Sequence, residues 1–483
     1  MSKKIIPVVV LSVLLLISCS KEKQPNFVFI LVDDLGWADV SCNNPGSFYD
    51  TPNIDRLAES GIRFTQAYAA NPVCSPTRAA ILTGKHPNRV NITDWIPGDD
   101  PKDRVLIGPA DRSELALEEI TIAEKLKEKG YKTGFIGKWH LGSEGFYPEN
   151  QGFDSNIGGY HKGSPPAGYY SPYQNPKITD GPVGEYLTDR LTDESIRFID
   201  ENREGPFFLF LSFYAVHTPI QASKRHFEEY RWKQEDLGFE EIPHQKEGDA
   251  WTKLKQDNAA YASMVAAMDE NVGRIVENLH SRGLDENTWI IFTSDNGGLS
   301  TLLGKNSPTS NYPLRAGKGW CYEGGIRVPL MIAGPGVKNP GTVSEQPAVS
   351  MDFFTTILSL AGIKHDKNDG ENLLPLIKKG KQTDRDELFW YYPHYHGSGW
   401  KPGAALRKGD WKLVVFYEDN RTELYHLQDD PGETTDVSAE NQELVADLKK
   451  ILEKRLDETG VKLPETNPDF KPVVPIPINL NSE

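Results

Sequence analysis

A chain of 483 residues exceeds what one hydrophobic core usually supports, so a large domain with a smaller appendage is expected. Its 38% hydrophobic and 25% charged residues are those of an ordinary globular protein. With 69 acidic against 53 basic residues the formal net charge is -16, which argues against nucleic acid or an anionic membrane surface as partner and admits a small anionic ligand only in a cleft that reverses the sign locally.

The first nineteen residues, MSKKIIPVVVLSVLLLISC, combine a basic start with an apolar run from Ile5 to Ile17. The run is short for a bilayer span and has the layout of a secretory signal. Its ending, LISC, resembles the lipobox of bacterial lipoproteins, which implies cleavage before Cys19, a lipid anchor at that residue as the only membrane contact, and a place in the bacterial cell envelope, periplasmic or on the outer membrane. Three cysteines would remain, Cys42, Cys74 and Cys321. They make no disulfide framework; at most Cys42 and Cys321 pair.

From Asn26 the chain alternates apolar runs with amphipathic segments. NFVFILV predicts a buried strand with Asp33 and Asp34 at its carboxyl end. TPNIDRLAESGIRF predicts a short helix with Thr51 as N-cap, Pro52 at the first position and Gly61 as stop. In NPVCSPTRAAILTG, Pro76 and the run Ala79 to Leu82 up to Gly84 mark both ends of a helix, with Cys74 at its mouth. Backbone N–H groups and the macrodipole there favour negative charge, so an acidic thiol is expected; a small buried hydrophobe at a junction is the alternative. EEITIAEKLKEKGYKTGFIGKWH reads as a helix ended by Gly130 and a strand from Lys132. A Gly-, Pro- and Tyr-rich stretch from His161 to Gly184 reads as a long functional loop. LTDRLTDESIRFIDEN is a helix before the strand PFFLFLSFYAV, and AAYASMVAAMDENVGRIVENLHSRGL a long helix before the strand NTWIIFTSDNGG. This alternation predicts an α/β domain whose large, mostly parallel sheet is sandwiched by helices. After about Asn372, DELFWYY, GAALRKGDWKLVVFYED and TELYHLQ predict a small antiparallel sheet, and NQELVADLKKILEKRL one helix. The expected units are a signal peptide over 1–19, a catalytic domain over 20–375 and an α+β subdomain over 376–483.

In doubly wound sheets ligands bind beyond the carboxyl ends of the strands. Asp33, Asp34, Asp295 and Asn296 all follow buried strands, and carboxylates gathered so closely need a cation or a proton. Such hard oxygens suit Ca²⁺, with Mg²⁺ as second choice; each half taken alone is also explained as a helix cap or a turn. A second, cationic set comprises Arg78, Lys138 and His140 in GKWH, His217 after FYAV, and Lys318 in AGKGW. Lys138 and His140, two apart in extended backbone, are expected to point to one side. Singly, a solvated lysine or a core histidine explains each; together they form the positive pocket an anion requires.

CSPTRAAILTG resembles the signature of the formylglycine-dependent sulfatases, a family of the alkaline phosphatase superfamily that includes arylsulfatase A-like enzymes and bacterial polysaccharide sulfatases. DDLGW, GKWHLG, SDNGG and EGGIRVP are similar to its other hallmarks, in the expected order. The resemblance implies an alkaline phosphatase-like fold and a sulfuric ester hydrolase in which a maturation enzyme oxidises Cys74 to formylglycine. Its aldehyde hydrates to a geminal diol, one oxygen of which attacks sulfur. It implies further that Asp33, Asp34, Asp295, Asn296 and residue 74 hold Ca²⁺, that Arg78, Lys138 and Lys318 neutralise the sulfate and the nucleophile, that His140 assists collapse of the diol and that His217 protonates the leaving alcohol. His394, His396, Trp400 and Arg407 lie at a turn of the small subdomain, a region bordering the active site in relatives, and are candidates for substrate binding; an aromatic core cluster is the alternative. With Tyr169, Tyr170 and Tyr173 they would suit a sugar ring, so a sulfated glycan or oligosaccharide is the expected substrate. The competing readings are a phosphonate or phosphate monoester hydrolase of the same superfamily and a non-catalytic lipoprotein that binds sulfated glycans.

Overall fold

The computed structural model describes residues 23–98, 101–238 and 241–471; the signal segment and Cys19 fall outside them. Strand β1 (Asn26–Val32) is buried along its whole length, as its unbroken apolar run requires. Val28, Ile30 and Val32 enter the core on one face of the sheet, and Phe27, Phe29 and Leu31 the core on the other.

Seven further strands join it: β2 (Gly61–Phe64), β3 (Lys132–Gly137), β4 (Ser155–Ile157), β5 (Phe207–Ser212), β6 (Thr288–Ser294), β7 (Leu330–Ala333) and β8 (Thr342–Ser344). The order is β8-β2-β7-β6-β1-β5-β3-β4. All neighbours run parallel except β7, which is antiparallel to both β6 and β2, so the sheet is mixed and mostly parallel. Val32 pairs with Ser294, Leu31 with Ser212, and Gly137 with Ser212. The carboxyl ends of four strands therefore finish side by side, and whatever follows them in sequence is delivered to one place. Gly137 is obligatory at this level: its φ is 109°, and an added Cβ would lie 1.8 Å from the Ser212 carbonyl oxygen.

Helices α1 (Pro52–Ser60), α4 (Leu187–Asn202) and α5 (Ala259–Ser281) cover one face; α2 (Cys74–Thr83), α3 (Ile122–Lys127) and α6 (Asp352–Leu360) cover the other. Their ends follow the sequence signals. Thr121 and Glu124 close a capping box on α3, the Asn258 side chain accepts from the Tyr261 N–H to start α5, and Gly84 ends α2 at φ 68°.

The C-terminal strands β9 (Glu387–Tyr392), β10 (Gly403–Lys408), β11 (Trp411–Phe416) and β12 (Thr422–His426) form an antiparallel sheet, with GAALRKGDWKLVVFYED folding into the β10–β11 hairpin. One face packs Leu406, Leu413 and Leu424 against Leu448, Leu452 and Leu456 of α7 (Gln442–Thr459). The other sends Trp390, Tyr392, Val414 and Phe416 into a core shared with Val73, Ala80, Trp320 and Tyr322. The subdomain is thus packed directly onto the segments around Cys74 and Lys318. The short helix Leu374–Lys379 belongs to the main core, where Leu376 and Ile377 are buried. Among the elements not anticipated, which include β2, β4, β7, β8 and α6, His244–Glu247, Ala250–Lys253 and Thr301–Leu302 form a separate three-stranded sheet with a turn at Gly248 and Asp249. Among the described residues no helix is long and apolar enough to cross a membrane.

Candidate active site

The carboxyl ends of β1, β3, β5 and β6 and the mouth of α2 bring the two residue sets together. Asp33 directly follows β1, and its carboxylate lies 2.6 Å from Lys138 Nζ, 3.6 Å from Cys74 Sγ and 3.6 Å from Arg78 Nη2. Asp34 sits at φ 60°, which turns its side chain back across the strand ends. It meets Lys318 Nζ at 2.7 Å, Asn296 Nδ2 at 2.8 Å and His217 Nε2 at 3.7 Å. Asp295, after β6, accepts from Arg78 Nε at 2.9 Å and Nη2 at 2.7 Å on one oxygen and from the Asp34 N–H on the other. Arg78 completes its fork by donating Nη1 to Ser212 Oγ and to the Lys138 carbonyl. Cys74, Arg78, Lys138, Asp33, Asp34, Asp295 and Asn296 are all buried.

The expectation of an acidic Cys74 thiol is overturned. Burial pushes the thiol up to about 12, and Lys138 and Lys318 do not offset it. Asp33 and Asp295 stand close enough to oppose a thiolate, so the helix mouth faces carboxylates and not open solvent. At neutral pH Cys74 is a neutral thiol, a poor nucleophile in its unmodified form.

GKWH also departs from expectation. Lys138 and His140 lie beyond β3, and His140 takes φ 59°, so the backbone is not extended and the two side chains diverge. Lys138 reaches Asp33. His140 donates Nε2–H to the Ile96 carbonyl at 2.5 Å, which leaves Nδ1 as a buried acceptor with no hydrogen-bond partner among the described residues. Burial and the charges of Lys138 and Arg78 hold this ring neutral. His217 donates Nδ1–H to the Thr218 carbonyl at 2.8 Å, turning Nε2 toward Asp34. Burial, then Lys318, lowers its pKa to about 3.

Three carboxyl groups face three cations, and this pairing matters for ligands. Lys138 and Lys318 are already engaged by Asp33 and Asp34; they are free to meet an anion only when those carboxylates find another cation. Burial raises the Asp33 pKa to about 8 despite Lys138, because Asp295 and Asp34 repel a further charge. Burial also opposes the charge on Asp34, but Lys318, His217 and Lys138 prevail and hold it ionised. The oxygens fit a hard divalent ion. Ligand atoms of Asp33, Asp34, Cys74 and His217 lie within 4.8 Å of one another, and Asn296 Oδ1 is buried without a partner among the described residues.

The expected substrate residues divide. His396 hydrogen-bonds Ser398 Oγ through Nδ1, and an added Cβ on Gly319 would lie 2.1 Å from that nitrogen, so the ring packs on the Lys318 loop. His394 is buried, with Nε2 2.9 Å from Thr93 Oγ1. Arg407 is not brought to the centre: it projects from β10 to donate to Tyr68 Oη at 2.6 Å, to Gln66 and to the Gly409 carbonyl. The alternation of β10 allowed either face, and only packing shows that this one meets Tyr68. Tyr169 and Tyr173 are correctly placed in the long loop but buried, with Tyr169 Oη donating to the Tyr214 and His217 carbonyls and Tyr173 Oη to Glu185; Tyr170 Oη donates to the Ala222 carbonyl. Tyr169 supports the His217 loop, and neither Tyr169 nor Tyr173 presents a face to a sugar; Tyr170 is half-buried. Cys42 and Cys321 are both free thiols.

Sequence reasoning missed Ser75, whose hydroxyl donates to the His140 carbonyl and accepts from the Ile96 N–H, and Ser212, which holds Arg78. Ser75 stands inside the quoted CSPTR and Ser212 ends β5, so position alone was the available signal.

Comparison with known proteins agrees with this arrangement. The family model described as Sulfatase matches residues 25–363. The chain belongs to the sulfatase family. It is a sulfuric ester hydrolase with an alkaline phosphatase-like fold. Residues 316–462 match a second model, N-sulphoglucosamine sulphohydrolase, C-terminal, which spans the Lys318 loop and the small sheet. The chain is 32% identical to N-acetylgalactosamine-6-sulfatase of Mus musculus, with 90% of this chain and 86% of that protein covered. Among solved structures it resembles Ps i-CgsB in complex with k-i-k-neocarrahexaose, with 31% identity, a TM-score of 0.72 and coverage of 93% and 95%. It also resembles BT4656 in complex with its substrate D-glucosamine-2-N,6-O-disulfate, with 25% identity, a TM-score of 0.71 and coverage of 90% and 98%.

Proposed function

We propose that the enzyme removes sulfate from a sulfated carbohydrate, using residue 74, converted to formylglycine by a maturation enzyme, as the source of the attacking oxygen. The observation that carries this reading is Cys74 at the point where Asp33, Arg78, Lys138 and Lys318 converge, in an environment that keeps an ordinary thiol protonated. The sugar substrate is supported by the relatives, which include an N-acetylgalactosamine-6-sulfatase and structures solved with k-i-k-neocarrahexaose and with D-glucosamine-2-N,6-O-disulfate.

A divalent cation, Ca²⁺ before Mg²⁺, would be held by Asp33, Asp34, Asp295 and Asn296 and would supply positive charge to a sulfate oxygen and to the nucleophile. With the carboxylates so engaged, Lys138 and Lys318 turn their ammonium groups to the sulfate, and Arg78, fixed by Asp295 and Ser212, keeps its charge beside residue 74. His217 is assigned the protonation of the leaving sugar oxygen; because Nδ1–H is held by the Thr218 carbonyl, Nε2 is an acceptor in the free site and takes up the proton it delivers when the anionic sulfate binds beside it. His140, with Nε2–H held by Ile96, has Nδ1 available to take the proton released when the diol collapses and sulfate departs.

The test is intact-peptide mass spectrometry across residue 74 together with turnover of p-nitrophenyl sulfate. A loss of sulfur at residue 74 and hydrolysis that EDTA abolishes and Ca²⁺ restores are expected. Unmodified, fully occupied cysteine in an active preparation, or faster cleavage of phenyl phosphonate than of the sulfate, refutes the reading. We also propose export and lipid anchoring at Cys19, which radiolabelled palmitate incorporation by a Cys19→Ala pair would test.

A further inference from the structure

Thr309, Ser310 and Asn311 belong to no helix or strand, yet all three are fully buried. Irregular backbone is normally kept at the surface, because its polar groups need partners. Here the partners are the loops that carry the reacting groups. Thr309 Oγ1 donates to Asp39 at 2.8 Å, and Asp39 accepts from the N–H of Gly36, two residues beyond Asp34, at 2.9 Å. Asn311 reaches two further loops. Its Nδ2 lies 2.9 Å from the Gly298 carbonyl oxygen, 3.1 Å from that of Ala316, 3.0 Å from that of Gly324 and 3.0 Å from Ser300 Oγ. Carbonyls only accept, and the one Ser300 hydroxyl proton goes to the Ala316 carbonyl at 2.7 Å, so the nitrogen of the amide and not its oxygen must face all four. Gly298 closes the stretch that carries Asp295 and Asn296, and Ala316 stands two residues before Lys318.

The consequence falls on Lys318. Ala316 takes φ 56° although it carries a Cβ, and the two donors on its carbonyl, Ser300 Oγ and Asn311 Nδ2, hold it in that left-handed turn. The Gly298 carbonyl that Asn311 meets also accepts from the Lys318 N–H at 3.1 Å. Packing leaves the turn no slack: an added Cβ on Gly317 would lie 2.4 Å from the Gly298 carbonyl oxygen and 2.8 Å from Asn311 Nδ2. Lys318 leaves this turn to place Nζ 2.7 Å from Asp34, so the backbone that Asn311 fixes sets where the ammonium group stands. On the other side of the amide, Oδ1 is buried without a hydrogen-bond partner among the described residues, and an added Cβ would lie 2.3 Å from it on Gly36 and 2.9 Å from it on Gly298. The side chain is thus wedged between the loops after β1 and β6 and bonded to the Lys318 turn.

We propose that Asn311 is a positioning residue for sulfate hydrolysis: without touching substrate, its amide fixes the Ala316–Gly319 turn so that Lys318 Nζ meets the sulfate. The inference rests on the reading of Lys318 as a sulfate-binding cation and goes beyond it. The test is a double-mutant cycle on the full chain supplied with Ca²⁺, read as kcat/KM for p-nitrophenyl sulfate in the unsubstituted enzyme, Asn311→Ala, Lys318→Ala and the two combined. Asn311→Ala lowers kcat/KM about 30-fold when Lys318 is present and by no more than about threefold when it is absent, because the amide then has no ammonium group to place. Where Lys318→Ala brings turnover below detection, the same cycle is read as calorimetric binding of p-nitrophenyl sulfate to chains carrying Cys74→Ala, with the same pattern expected. Ser300→Ala removes one of the two donors on the Ala316 carbonyl and is the milder variant should Asn311→Ala fail to fold. Its loss is about fivefold and also vanishes without Lys318. Equal losses with and without Lys318, which a purely structural amide would give, or full activity of Asn311→Ala, overturn the assignment. Failure of the underlying reading shows separately, as a Lys318→Ala enzyme that matches the unsubstituted one or an unsubstituted enzyme without turnover, and takes this role of Asn311 with it.

Discussion

Replacing Lys412 by Met tests how the small sheet is attached to the catalytic loop. Lys412, on β11, is fully buried, with Nζ 2.9 Å from Glu323 and 2.8 Å from Glu433, both of which are also buried. Glu433 in turn accepts from the Glu323 backbone N–H at 2.7 Å, so the three side chains join the C-terminal sheet to the segment that follows Lys318. Methionine fills the space but leaves two carboxylates with one cation fewer, and breaking a buried pair this way costs about 3–5 kcal/mol. The cost is pH-dependent. Burial raises the Glu433 pKa to about 7 even with Lys412 present, against a model-peptide value of 4.5. The folded state therefore binds a proton that the unfolded state has lost between those values, and this contribution to stability falls as pH rises through that window. Removing Lys412 takes away the charge that holds Glu433 down, so the window extends upward. Above pH 7 the variant then loses about 1.4 kcal/mol more per pH unit than the wild type until its own higher pKa is reached. Urea unfolding at pH 6 and pH 8 is the assay: a deficit of about 3–5 kcal/mol at pH 8 that shrinks by about 1 kcal/mol at pH 6 is expected. The double variant Lys412→Met, Glu433→Gln should recover much of it. A deficit that is the same at both pH values, or no recovery in the double variant, refutes the reasoning.

Cys74→Ala removes the proposed nucleophile from the mouth of α2 and should bring p-nitrophenyl sulfate turnover to background while the urea midpoint changes little; retained turnover counts against the role. Asp295→Ala leaves Arg78 without its closest partner and should lower calcium content, read by inductively coupled plasma mass spectrometry, together with activity. An unchanged metal-to-protein ratio removes Asp295 from the ion site. Arg407→Gln loses its bonds to Tyr68 and Gln66 and should cost about 1–3 kcal/mol of stability with kcat/KM for a sulfated sugar within about twofold, whereas a selective rise in KM would return Arg407 to the substrate site. Gly137→Ala drives a Cβ into the Ser212 carbonyl at the level where the strands end and should yield insoluble or inactive protein; a soluble, active variant would show the strand ends to be less tightly set.

The helices and strands of the main domain that were legible are long, strongly periodic or capped: β1 by its unbroken apolar run, α2 by Pro76 and Gly84, and α4 over Leu187–Asn202 as one amphipathic stretch; the short strands β2, β4, β7 and β8 were not read. The residues of the cationic and carboxylate sets were legible as residue types at strand ends, because a parallel sheet delivers whatever follows its strands to one edge. The small sheet around Asp249 was not, since HQKE and AWTK are short and mostly polar, and the antiparallel course of β7 leaves no mark in its four apolar residues.

Sequence by itself determined which chemical groups this chain can assemble and roughly where its elements begin and end, since caps, breakers and apolar spacing act within a few residues. Tertiary structure decided what those groups do. Burial among carboxylates reversed the acidity expected for Cys74, left-handed backbone at Asp34 and His140 turned side chains that a strand would have sent elsewhere, and packing directed Arg407, Tyr169 and Tyr173 away from solvent. The physical reason is the same in each case: charge, orientation and exposure depend on neighbours tens or hundreds of residues away, which no local pattern records.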